Sequence, residues 1–374
     1  MARKFDKVLL DKIRQEQFET EHKGITVLVK PIPEGGADGE VDPRLFKAMR
    51  MMPLMLHFIP KAKKNATVAE QIAMPRKMFG EYKGDYVVTE GVDTRHITVK
   101  SADGYAVPVR IYKRDNAGSG LPMLVYYHGG GFFGGGPNIV EQMCKVLVRD
   151  LDCVVLNVDY RLCPEAHYPQ PFDDCWAVTC WAYEHAEELG AAKKKIAVSG
   201  DSAGGNLAAA ITLRDREECT NMVGLQALIY PAVNISGKHT EFYRGTDPSQ
   251  YRTTKRCKKP VQAMYQMMGM MVSGGSGNML EDVYLQGNLN SEHIYASPIL
   301  DDFHDVPPTL LAFGEHDFLA FEDFAYARHA AKAGVNLKTI IYRGLGHGFA
   351  DQVGVMPQAE DLMAEIAAMM REVL

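Results

Sequence analysis

The chain has 374 residues, more than a minimal domain needs and too few for two large ones. Apolar residues make up 46% and charged residues 24%, the mix of an ordinary globular protein, so neither a disordered chain nor a fibre is expected. The formal net charge of -6 gives no basic face for a nucleic acid, and no run of about 18 apolar residues offers stable membrane insertion.

Charges interrupt every apolar run in the first 23 residues, so no signal-peptide core is expected there. The cysteines are Cys144, Cys153, Cys163, Cys175, Cys180, Cys219 and Cys257, an odd set without a C-x-x-C pair. That pattern favours reduced core thiols in a cytoplasmic protein over a disulfide or zinc framework.

Residues 1–92 come first and carry helical segments near 4–20, 42–58 and 67–80, around a Gly-rich break at 34–40. From 93 onward the order is regular. Residues 93–100 and 106–112 alternate apolar and polar about a Ser-Ala-Asp-Gly turn, which predicts an antiparallel hairpin with one wet face. Continuous apolar runs follow at 122–127, 153–158, 195–199, 225–230, 308–313 and 337–342. Helix-period segments lie between most of them, at 138–151, 171–189, 203–216, 320–334 and 357–373. Such alternation predicts an α/β fold, a mostly parallel sheet with helices on both faces. Residues 233–300 break the pattern with a Met-rich stretch (264–271) and a Gly/Ser-rich one (273–277). The division expected is an N-terminal cap segment (1–92), a catalytic domain (93–232 and 301–374) and a cap insertion (233–300).

Gly200-Asp201-Ser202-Ala203-Gly204 follows an apolar run and opens a helix. A G-x-S-x-G pentapeptide is weak alone, but a sharp strand-to-helix turn admits only small neighbours and presents a serine hydroxyl at the helix's positive end. A plain N-cap serine would not explain the flanking glycines. His128-Gly129-Gly130-Gly131-Phe132 follows the 122–127 run. Its glycines free backbone N–H groups to hold an oxyanion, with the Ala203 N–H as a further donor. His128, ahead of the glycines, reads as structural.

The segments HGGGF, DYRLCPE (159–165) and GDSAGG (200–205), in this order, resemble the hormone-sensitive-lipase-like group of α/β-hydrolases over roughly residues 93–374. Cys163 stands where that group usually has alanine. The resemblance implies an eight-stranded sheet, a Ser–Asp–His triad, no cofactor, and oxyanion donation by Gly130, Gly131 and Ala203. Asp317 holds the aspartate place after the 308–313 run, although Phe318 replaces the family's proline; Glu315 and Asp323 are reserve acids. His347 follows the 337–342 run in a His-Gly-Phe sequence that the group shares. The chain order Ser202, Asp317, His347 is the one expected of this fold.

The function expected is serine hydrolysis of short-to-medium acyl esters, with a small-molecule ester as partner. An amidase or formamidase would use the same triad. A receptor of related sequence would have lost the histidine that His347 supplies. Association with a second copy of the chain is left open. Arg161, Glu165 and Asp201 read as loop-holding groups, and Lys61, Lys63, Lys64 and Lys193–Lys195 as solvated faces. The methionines at 49–55 and 264–271 are read as either cap packing or an adaptable pocket lining.

Overall fold

The computed structural model describes residues 3–55, 67–194, 196–273 and 278–374. The basic run Lys61, Lys63, Lys64, the third residue of the Lys193–Lys195 run, and residues 274–277 lie outside them.

The regular part of the chain takes the predicted course. The hairpin β3 (Val92–Lys100) and β4 (Ala106–Arg114) leads to β5 (Met123–Tyr127), α5 (Pro137–Leu151), β6 (Val154–Val158), α6 (Gln170–Glu184), β7 (Ile196–Asp201), α7 (Ala203–Glu217) and β8 (Val223–Ile229). After the insertion come β9 (Thr309–Gly314), α9 (Ala320–Lys332), β10 (Leu337–Tyr342) and α10 (Pro357–Val373). Strands β5 to β9 are buried at every position, which is why they read as unbroken apolar runs. Helix α5 packs on α10 and α6 on α7.

The sheet has ten strands, not eight, in the order β1-β2-β10-β9-β8-β7-β5-β6-β4-β3. The helix expected over 4–20 stops early: α1 is Val8–Gln15, and β1 (Phe18–His22) and β2 (Ile25–Lys30) follow as a hairpin. Lys23 and Gly24 turn it with φ of 50° and 86°, the backbone of a tight two-residue connection. Strand β2 runs parallel to β10, pairing Thr339 with Val27 through Tyr342 with Lys30. Part of residues 1–92 is therefore sheet rather than cap. Lys30 is buried at the end of β2, with Nζ 3.1 Å from Asp361 and also paired with Glu365. The edge of the sheet and α10 are thus joined by charge as well as by backbone.

The rest of the N-terminal segment forms α2 (Pro43–Met49), α3 (Met52–Met55) and α4 (Val68–Phe79). A capping box between Thr67 and Glu70 starts α4. Helices α2 and α3 touch α8 (Lys258–Ser273) of the insertion. Val41, Met49, Cys257, Val261 and Met264 make a small apolar core between the two segments, apart from the main one. No helix among the described residues is long and apolar enough to cross a membrane.

Candidate active site

Ser202 stands where β7 gives way to α7. Its backbone has φ 55° and ψ -117°, a strained conformation for a side chain that is not glycine. The turn is tight because α7 abuts the end of β5. A Cβ on Gly204 would lie 2.0 Å from the Tyr127 carbonyl oxygen, and one on Gly200 would lie 2.3 Å from that of Gly204. Both positions therefore require glycine. The serine hydroxyl makes no capping bond to α7, so the N-cap reading fails.

The hydroxyl turns instead to His347, 2.9 Å from Nε2. His347 lies in the loop after β10, and its Nδ1 is 3.0 and 2.9 Å from the two carboxylate oxygens of Asp317. A carboxylate only accepts, so Nδ1 carries the proton and Nε2 is left to accept from Ser202. Asp317 is fully buried just past β9, and its Oδ1 also accepts the Leu319 N–H at 2.9 Å. The reserve acids sit elsewhere. Glu315 accepts the Gly344 N–H at 2.9 Å, and Asp323 is buried without a hydrogen-bond partner among the described residues.

The glycine loop after β5 faces the same space. Gly129, Gly130, Gly131, Ser202, Ala203 and His347 all line a cavity of about 110 Å³. Among the described residues no acceptor takes the N–H of Gly130, Gly131 or Ala203. The loop is held from below. Asp201 Oδ1 accepts the Gly129 N–H at 2.9 Å and the Tyr126 hydroxyl at 3.0 Å. Tyr160 donates to the His128 carbonyl at 2.6 Å and stacks on the His128 ring. Burial pushes His128 down to about 4, which keeps it neutral and suits a structural role. Arg161 clamps Asp174 with two nitrogens and reaches Asp103, while Glu165 pairs with Arg76 of α4 at 2.7 Å. Asp201, Arg161 and Glu165 thus hold loops, as their places in the motifs suggested.

The methionines divide. Met49 and Met264 pack the small second core, whereas Met268 and Met78 line the serine cavity. Residues the sequence did not single out also line it, Lys83, Tyr230 and Asp351, together with Phe318, which the sequence marked only as the replacement of the family's proline. Tyr230 and Phe318 pack their rings on His347, with centroids 4.7 and 4.8 Å away. Burial raises Asp351 to about 7. Lys83, Tyr230 and Asp351 belong to no motif, and only the fold assembles the four.

A family model described as the alpha/beta hydrolase fold matches residues 124–351. The carboxylesterase NlhH of Mycobacterium tuberculosis is 30% identical over 268 residues, covering 72% of this chain and 79% of that protein. The ethyl acetate hydrolase of Pseudomonas putida is 28% identical over 278 residues, 71% of this chain and 78% of that one. The hyperthermophilic esterase from the archaeon Pyrobaculum calidifontis superposes with a TM-score of 0.66 at 28% identity, over 90% of this chain and 100% of the other. With its three motifs in order on this sheet, the chain belongs to the hormone-sensitive-lipase-like carboxylesterase family of the α/β-hydrolase fold.

Proposed function

We propose that Ser202 is the nucleophile of this carboxylesterase, His347 its base and Asp317 the acid that orients the base. The observation that carries the reading is the unbroken hydrogen-bonded line from the Ser202 hydroxyl through both nitrogens of His347 to Asp317. Ser202 Oγ attacks the ester carbonyl as His347 Nε2 takes its proton. Asp317 holds the tautomer and stabilises the imidazolium. The N–H groups of Gly130, Gly131 and Ala203 receive the oxyanion, each contributing about 3 kcal/mol. Collapse expels the alcohol, which leaves with the proton from His347. Water, deprotonated by the same nitrogen, then frees the acid and restores Ser202.

The small cavity against the serine favours short-to-medium acyl groups, and the ethyl acetate hydrolase among the relatives agrees with that. The helices α2–α4 and the described residues of the insertion 233–300 form the cap over this cavity. All seven cysteines are free, which favours a reducing cytoplasmic setting. A small-molecule ester is the partner. The test is a series of p-nitrophenyl esters, acetate to palmitate, run beside Ser202→Ala. Hydrolysis peaking at short-to-medium acyl chains and lost in a folded variant is expected. A folded Ser202→Ala protein with near-wild-type rates would end the assignment.

A further inference from the structure

A second cavity adjoins the one at Ser202. Its volume is about 440 Å³, against about 110 Å³ beside the serine. Ala232, Leu280, Phe318 and Leu319 wall both, so the two spaces are neighbours that share a wall. Phe318 packs on the His347 ring, and Leu319 donates its N–H to Asp317. The glycines of the 129–131 loop do not line the larger space. It therefore lies beyond Phe318 and Leu319, on the His347–Asp317 side of the serine and away from the oxyanion donors.

The wall of this cavity mixes apolar side chains, among them Ile235, Leu280, Phe318 and Leu319, with polar ones that carry no fixed charge. It carries Asn234, Ser236, Tyr243, Thr246, Tyr265 and Glu322, and among the described residues no lysine, arginine or aspartate. Burial pushes Glu322 up to about 8, so its carboxyl holds a proton at neutral pH. Glu322 Oε1 accepts the N–H groups of Val233 and Asn234, which leaves Oε2 to engage a ligand. The Tyr243 hydroxyl lies 3.2 Å from Thr246 Oγ1, and each keeps further hydrogen-bonding capacity. A charged substrate arm would find no counter-charge here. Asn234 and Ser236 already bond each other and Lys238, but a purely hydrocarbon arm would strip water from Glu322 Oε2 and the hydroxyls of Tyr243, Thr246 and Tyr265 and return no partner. An arm bearing several neutral hydroxyls satisfies both conditions, and the volume suits a group of about ring size.

We propose that this cavity binds the alcohol arm of the ester, and that the arm is a neutral, multiply hydroxylated group such as a sugar or polyol. The proposal rests on the reading of His347 as the base, because the departing alcohol takes its proton from that side.

The test compares two butyrate esters of like size with the full-length protein, 6-O-butyryl glucose and cyclohexylmethyl butyrate, by release of acid. The wild type should favour the glucose ester by about 10-fold or more in kcat/KM. Tyr243→Phe and Tyr265→Phe each remove one hydroxyl without loss of volume. Each should cut that ratio by about 3- to 10-fold, chiefly through KM of the glucose ester. Two variants, each checked by thermal melting, guard against a misfolded one. Equal or reversed wild-type preference, or a ratio that neither variant moves, overturns the proposal. If p-nitrophenyl butyrate is cleaved and the glucose ester is not, the cavity assignment falls and the Ser202 reading stands. If none of the three is cleaved, both fall.

Discussion

Glu322→Gln separates the proton on this carboxyl from its hydrogen bonds. Glu322 lies in the first turn of α9 and is 7% exposed. Its Oε1 pins the chain leaving β8 through the N–H groups of Val233 at 2.8 Å and Asn234 at 3.3 Å. Burial, and to a lesser degree the nearby Asp317 charge, raises it from 4.5 to about 8. Between those values the unfolded chain has lost the proton and the folded one keeps it. The folded state then binds more protons, so this group makes stability fall as pH rises through the window, and the loss levels off above about 8. At about 1.4 kcal/mol per pH unit, the ceiling is about 5 kcal/mol. Glutamine retains the accepting oxygen and offers an N–H in place of the O–H, but it does not ionise. The variant should therefore gain on the wild type by about 2 to 4 kcal/mol between pH 5 and pH 8. Urea unfolding of both proteins at intervals across that range measures the gain. Stability curves that run parallel would show that Glu322 is ionised in the fold and refute the reasoning.

Asp317→Asn should lower kcat by about 10³- to 10⁴-fold with little change in KM, because the amide no longer fixes the His347 tautomer; single-substrate kinetics on p-nitrophenyl butyrate decides it. Gly204→Ala puts a Cβ against the Tyr127 backbone, which cannot yield as a side chain would. A loss of about 3 kcal/mol or more in thermal unfolding is expected, and an unchanged melt would count against the close packing of α7 on β5. Deleting residues 1–30 strips β2 from β10 and leaves Asp361 and Glu365 without Lys30. That should cost about 3 to 5 kcal/mol, so the truncated chain should be far less stable, and one that melts like the full chain would show the hairpin to be dispensable.

Strands β4 to β10 were legible because each is buried on one or both faces and carries the matching apolar pattern, and β3, in which only Val99 is buried, was legible as the partner of β4 across a turn. The hairpin β1–β2 was not, although Lys23-Gly24 was a turn signal between alternating runs. Strand β1 is an edge strand, exposed at four of its five positions, and its charges blur into the helical period of α1. Ser202 and the glycine loop stood out because a strained turn or a close backbone approach restricts residue choice locally, and His347 because it follows the last strand in a His-Gly-Phe sequence. Among Glu315, Asp317 and Asp323, spacing favoured Asp317, and the end of β9 is what aims it at His347. The second cavity draws its walls from residues 232–246, from α8 and from α9, so no local pattern encodes it.

The N-terminal segment shows why a division into cap and catalytic domain is too simple. The loop from Arg343 to Gly354, which carries His347, is held at both ends by that segment. The Asp42 N–H donates to the Gly344 carbonyl at 3.0 Å, and the Asp85 N–H donates to the Val353 carbonyl at 2.6 Å. Arg343 donates its own N–H to the Lys30 carbonyl at the end of β2. Backbone bonds from three separate stretches of the first 92 residues thus fix the loop on which the histidine rides. A segment that only roofed the cavity would alter substrate choice when removed. This one also sets where His347 stands, so its loss should reach kcat as well as KM.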